Sequence, residues 1–217
     1  MKDKIIIVDI ETNVFEEQKD HFDVIQIGAY KIKGLEVVSQ FNEYVMPTKN
    51  PILTDFIIDL TGIKQAQVDV AEPFPEVWKK FTEWAKPYNI MLSWGNYDYI
   101  LFEKVSKHFG LNFPFKHHIN LKHVAQFLMN LTKGKRGLGG LTKHLNLPYV
   151  GHHDAICDVE MTFNVMKYMI DNKIVHTFKA SNNVINGKNV MVNPSIAKLY
   201  RDLGKRRERL ERHFKTI

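Results

Sequence analysis

Ile5-Ile6-Ile7-Val8-Asp9-Ile10-Glu11 decides how the rest of this 217-residue chain is read. Four consecutive β-branched apolar residues make a short strand buried on both faces, as in the centre of a sheet covered by helices. Two acids follow at i and i+2. In an extended chain such positions share a face, so a pair of carboxylates emerges at the C-terminal end of a buried strand. Acids are costly there unless they bind something. Two hard oxygen donors at this spacing suit Mg²⁺ or Mn²⁺. The spacing also arises by chance in a chain with 24 acids, and alone it is equally the pattern of a solvated strand end.

Outward from this strand, residues 24–33 read as a second strand. Gly34 turns the chain into a third, 35–45, which ends before Pro47. Phe74, Val77, Phe81 and Trp84 form one helical stripe, with Pro73 and Pro75 at its start and Pro87 at its end. Such an aromatic stripe belongs to a core rather than to a ligand box. Residues 90–94 read as a short strand. Residues 99–109 read as a helix stopped by Gly110, and 120–131 as another. Leu138, Leu141 and Leu145 form a shorter stripe ended by Pro148. Residues 155–170 form a long helix with Val159, Phe163, Met166 and Ile170 on one face. Three strands, a helix, a strand and then helices specify a mixed α/β protein, a partly antiparallel sheet covered by helices.

Composition bounds the function. Hydrophobic residues make up 44% and charged residues 25% of the chain, which excludes global disorder and a fibrous repeat. No apolar run approaches the ~20 residues of a membrane helix, and the N-terminus enters the first strand without the apolar core of a signal peptide. Cys157 is the one cysteine and cannot form an internal disulfide, so a reducing cytoplasm is the expected compartment and no membrane partner is expected. The net charge is +6, and most of it lies in residues 198–217. There Lys198, Arg201, Lys205, Arg206, Arg207, Arg209, Arg212 and Lys215 outnumber Asp202, Glu208 and Glu211, leaving +5. Such a segment attracts a polyanion or is simply a solvated helix. Residues 181–193, rich in Asn, Gly and Ser, read as a linker. The expected organisation is a domain over 1–175 and a linker with a basic helical tail over 176–217.

Two later segments join the acidic pair. In Ser93-Trp94-Gly95-Asn96-Tyr97-Asp98, Asp98 lies between a strand and a helix, where it is either a helix N-cap or a third carboxylate at the sheet's edge. In Gly151-His152-His153-Asp154-Ala155-Ile156-Cys157-Asp158, His153 falls in the loop before the long helix, Asp154 is a candidate N-cap, and Asp158 lies in the first turns. A loop histidine facing a metal site is suited to general-base work, its pKa lying near operating pH. His117-His118 has no acid or cysteine at metal-site spacing and reads as a surface or core pair. Lys133-Gly134-Lys135-Arg136 is either a phosphate-gripping loop or a solvated one.

Asp9-x-Glu11, Asp98, and His153 with Asp158 together resemble the DEDDh 3′–5′ exonucleases. His153-Asp-Ala-Ile-Cys-Asp158 fits the family's His-x-Ala-x-x-Asp form and selects His153 over His152. Ile25-Gln-Ile-Gly-Ala29 resembles the family's second strand. Residues 39–47, Leu53-Thr54-Asp55, Leu60-Thr61-Gly62-Ile63, Gln67-Val68-Asp69, Phe74-Pro75 and Trp94-Gly95-Asn96 resemble the branch that trims histone-mRNA ends and small interfering RNAs, and bacterial sporulation-inhibitor proteins. The resemblance covers residues 4–172.

It implies an RNase H-like mixed five-stranded sheet flanked by helices, followed by the basic C-terminal extension. It also implies two divalent ions, Mg²⁺ or Mn²⁺, held by Asp9, Glu11, Asp98 and Asp158, with His153 as general base. The implied partner is a single-stranded nucleic acid with a free 3′ end, RNA favoured over DNA, trimmed to nucleoside 5′-monophosphates. Thr12 and Asn13, Leu60 and Thr61, and Tyr97 are the positions the resemblance offers for gripping the last nucleotide. A non-catalytic nucleic-acid-binding or regulatory protein on the same fold is the alternative, and a polymerase proofreading subunit a third.

Overall fold

The computed structural model describes residues 4–14, 22–129, 131, 133–149, 151 and 153–174. The linker and basic tail expected over 176–217 lie outside the described residues. Five strands form one sheet: β1 (Lys4–Val14), β2 (Phe22–Lys33), β3 (Glu36–Tyr44), β4 (Ile90–Ser93) and β5 (His117–Asn120), in the order β3-β2-β1-β4-β5. β1 pairs antiparallel with β2 and parallel with β4; β2–β3 is antiparallel and β4–β5 parallel. Seven α-helices accompany them among the described residues: α1 (Asp55–Thr61), α2 (Gln65–Asp69), α3 (Phe74–Ala85), α4 (Tyr97–His108), α5 (Leu121–Leu128), α6 (Leu138–His144) and α7 (Ala155–Asp171). None of them is long and apolar enough to cross a membrane.

β1 is central because its side chains divide between two cores. Ile5 and Ile7 pack with α5, α6 and α7 through Leu121, Val124, Leu138, Leu141, Val159, Val165 and Met166. Ile6, Val8 and Ile10 pack on the opposite side with α3 and α4 through Phe74, Val77, Trp78, Phe81, Leu101 and Phe102. The aromatic stripe of α3 is core, as its spacing requires, and Trp78 and Phe81 are among the largest fully buried side chains. The alternation that sorts the isoleucines also sorts the acids: Asp9 and Glu11 continue the Ile5–Ile7 face, the one α7 covers.

Three features differ from the sequence-based expectation. β1 runs to Val14, so Asp9 and Glu11 lie inside the strand; what ends beside them is β4, whose pairing with β1 stops at Ile7↔Leu92. α1 and α2, seven and five residues long, are too short for hydrophobic periodicity to register. β5 is four residues with the sequence His-His-Ile-Asn, and its strand character comes from pairing with β4 rather than from its own composition.

α7 approaches the sheet closely. It begins over Gly28 of β2, where an added Cβ would stand 2.5 Å from the Ala155 carbonyl carbon and 2.7 Å from Ile156 N. These are backbone atoms that no rotamer change can move aside. Gly28→Ala is therefore expected to lower stability by about 1–3 kcal/mol, the cost of overpacking, measured by urea unfolding; Gly134→Ala, whose Cβ meets nothing within 4 Å, serves as the tolerant control.

Candidate active site

The register places the site. Asp9 stands opposite Gly28, and Glu11 opposite Gln26, in the antiparallel β1–β2 pair, so all four share the face under α7. Gln26 is fully buried. Its Oε1 accepts from Ala155 N (3.1 Å), and its Nε2 donates to Asp154 Oδ2 (3.4 Å) and Asn42 Oδ1 (3.0 Å). Asp154 is the N-cap of α7, its Oδ1 accepting from Ile156 N and Cys157 N at 3.1 Å each. One turn in, Asp158 is buried. Just before the cap, His153 has φ 63, a left-handed conformation that histidine tolerates better than most residues.

Glu11, His153 and Asp158 thereby each offer one ligand atom, and these atoms lie within 4.8 Å of one another. Asp98 arrives from the other side. Asn96 rather than Asp98 is the cap residue of α4, and Asp98 lies in its first turn, buried. The backbone N–H groups of Asp98 itself and of Ile10, which lies between the two acids of β1, favour its charged form.

These charges oppose one another. Burial, then the charges of Asp98, Asp158, Glu11 and Asp154, hold the Asp9 carboxyl well above its ordinary range. Burial, then Asp158, Asp98 and Asp154, push Glu11 up to about 8. Burial pushes Asp98 up to about 7 against the two amides that favour its charged form. Every charge that raises Asp9 and Glu11 is another carboxylate. A donor set of this kind, oxygen-rich and converging, fits hard divalent cations such as Mg²⁺ or Mn²⁺.

The five residues expected to carry chemistry are thus on elements that meet at one place. The positions expected to grip substrate are more scattered. Thr12 is half-buried beside Glu11. Asn13 is fully buried, and its Nδ2 donates to Asn50 O (2.8 Å) and Ile52 O (3.2 Å), tying the loop before α1 to β1. Thr61 is buried, its Oγ1 donating to Ile57 O and accepting from Ile63 N. Leu60 and Tyr97 are exposed. Lys133–Lys135 form a single 3₁₀ turn, and Arg136 Nε donates to Leu131 O. Gln26 and Gly28 were visible in the sequence only as part of a strand resembling the family's; their i, i+2 spacing, matching that of Asp9 and Glu11, was the available signal.

The chain is 30% identical over 176 residues to human ERI1 exoribonuclease 3, an alignment covering 75% of this chain and 52% of that protein. It is 29% identical over 174 residues to a PolC-type DNA polymerase III of Bacillus cereus, covering 80% of this chain and 12% of the polymerase. It therefore spans about half the length of the first relative and a small part of the second. Among solved structures, the nuclease domain of 3′hExo, a DEDDh family member bound to rAMP, superposes with a TM-score of 0.71 at 27% identity, covering 79% of this chain and 93% of that one. With residues 6–166 matching the model of the RNase T exonuclease family, most of its length, the chain belongs to that family.

Proposed function

We propose that the protein is a metal-dependent 3′–5′ exonuclease that shortens single-stranded RNA, and DNA less readily, to nucleoside 5′-monophosphates. The observation that carries this reading is the convergence of Glu11, His153 and Asp158 within 4.8 Å, beside Asp9 and Asp98, in a chain of the exonuclease family. The leaning to RNA rests on the relatives named exoribonuclease. The lone Cys157, unpaired by disulfide, suits a reducing compartment such as the cytoplasm.

Asp9, Glu11 and Asp158 would hold one divalent ion, and Asp9 with Asp98 a second. Bound there, the ions supply Lewis-acid stabilisation of the charge that builds on the attacking and leaving oxygens. The protein's own groups do the rest. His153 takes a proton from the water that attacks the last phosphodiester phosphorus. The water oxygen bonds to phosphorus, the bond from phosphorus to the penultimate O3′ breaks, and that O3′ takes a proton from solvent. The left-handed backbone at His153 and the Asp154 cap beside it hold the imidazole at the mouth of the acidic cluster. The exposed Leu60 and Tyr97 offer apolar surface to the terminal base.

A 5′-labelled RNA oligonucleotide and its DNA counterpart test this reading. A ladder shortening from the 3′ end in Mg²⁺ or Mn²⁺ is expected, abolished by EDTA and by Asp9→Ala, and slowed ~10²–10⁴-fold by His153→Ala. A strand that shifts on a native gel yet stays intact in both metals would favour a binding protein instead.

The raised carboxyl pKa values carry a second expectation, for stability. Asp98 and Glu11 hold protons more tightly folded than unfolded, so the stability they contribute is present below the ordinary carboxylate range. It is lost as pH rises through about 7 and about 8. In EDTA, the thermal midpoint should therefore fall as pH rises from about 4.5 to about 8 and level off above that. Added Mg²⁺ should abolish the fall, and so should Glu11→Gln combined with Asp98→Asn. A midpoint that is flat in EDTA across this window would contradict the electrostatic account.

A further inference from the structure

His118 is buried on β5, on a segment the reaction scheme does not use. Its Nε2 lies 2.8 Å from Ser93 Oγ, and Ser93 Oγ donates its one proton to Gly95 O at 2.6 Å. The serine oxygen can then only accept from the ring, which assigns the proton to Nε2. The face of the imidazole stacks on Tyr99, centroids 4.5 Å apart and planes at 19°. Burial drives its pKa down to about 4, so the ring is neutral and keeps one bare nitrogen across the working range of pH.

These contacts bracket Asp98. Ser93 precedes it at the end of β4, and Tyr99 follows it in α4. The same strand secures the remainder of the loop: Asn120 Nδ2 donates to Asn96 Oδ1 (2.7 Å), and Lys122 N donates to Trp94 O (2.8 Å). Ser93, Trp94 and Asn96 are therefore each bonded to β5 or the start of α5, and Ser93 in turn holds Gly95. Beyond the loop, Asp98 sits buried in the first turn of α4, where the Ile10 N–H of β1 favours its charged form.

We infer that His118 is a positioning residue for Asp98: its ring clasps the β4–α4 loop from both sides of the acid and so sets where that carboxylate stands over β1. The inference rests on the reading of Asp98 as a metal ligand. Histidine suits the task because it joins a flat face for Tyr99 to an N–H for Ser93. Phenylalanine keeps the face and loses the donor; glutamine keeps a donor and loses the face.

The test compares His118→Phe, His118→Gln and Asp98→Asn in the full chain, with circular dichroism to establish folding. Mn²⁺ affinity is measured by calorimetry, and kcat and KM on a single-stranded RNA. His118→Phe should weaken Mn²⁺ binding about 10–100-fold, as loss of a group behind a metal ligand does. It should lower kcat by a similar factor while KM stays within ~2-fold, and His118→Gln should recover most of both. If His118→Phe does not fold, Asn120→Asp carries the test. It keeps the oxygen that accepts from His123 N and loses the donor to Asn96, and the same loss of affinity and kcat is expected. A folded His118→Phe or Asn120→Asp with wild-type Mn²⁺ affinity and kcat, alongside an impaired Asp98→Asn, overturns the clasp and leaves the metal site standing. An Asp98→Asn that binds Mn²⁺ and turns over as wild type removes the metal reading of Asp98, and the clasp falls with it.

Discussion

The first peptide of α7 lies on Gly28 with no room for a Cβ between them, and the rest of the site depends on that contact. Gly28 is the cross-strand neighbour of Asp9. A helix that begins there must present its first turn to the β1 face that carries Asp9 and Glu11. The contact is made specific by Gln26. A side chain there must accept from the Ala155 N–H at the helix start and donate to the Asp154 carboxylate at once. Only a carboxamide does both among side chains of this shape. Glutamate would accept from Ala155 but would face Asp154 with a second negative charge. The neutral amide therefore holds the helix without adding to the acidic cluster beside it.

That restraint shows in the electrostatics. Asp9, Glu11 and Asp98 are all held above their ordinary range by burial and by neighbouring carboxylates, Asp158 acting on all three. A buried lysine or arginine would relieve the repulsion, and would also occupy the place a metal cation needs. The polar groups that support the cluster are amides instead: the side chains of Gln26 and Asn42, and the backbone N–H of Ile10 against Asp98. The two side chains hold the start of α7 beside the acids and leave the charge uncompensated. A locally unfavourable cluster supported by a well-packed surround is the expected signature of a binding site rather than of a structural ion pair.

Much of this was legible in the sequence, and what was missed has a physical reason. The four β-branched residues 5–8 marked a central strand correctly, and the α3 and α7 stripes marked core-facing helices, because burial on a face imposes a period. Asp9-x-Glu11 sharing a face followed from strand geometry alone. The extent of β1 did not, since Asp9-Ile-Glu-Thr-Asn reads as a polar strand end until β2 is seen to pair along it. β5 was invisible for a related cause: its polar residues His118 and Asn120 have partners in the β4–α4 loop, and those contacts are as remote in sequence as they are close in space. Asp98 had two readings at the sequence level. Asn96 occupies the cap, which leaves the Asp98 carboxylate to reach β1.

The location of the site follows from unequal strand lengths as much as from residue identity. β1 continues to Val14, while its pairing with β4 ends at Leu92. From there on, β1 continues without β4 beside it, and that edge needs other partners for any buried backbone donor. Asp98 comes in here from α4, with the Ile10 N–H favouring its charged form. A third carboxylate thus enters where the two of β1 already stand. Had β4 run further along β1, strand would occupy the segment that now leads into α4, and the third element of the constellation would have no seat. An acid–x–acid pair on a buried strand is common and means little; beside a partner strand that stops short, with a helix start pressed on the opposite neighbour, it becomes a place where carboxylates from three elements must meet.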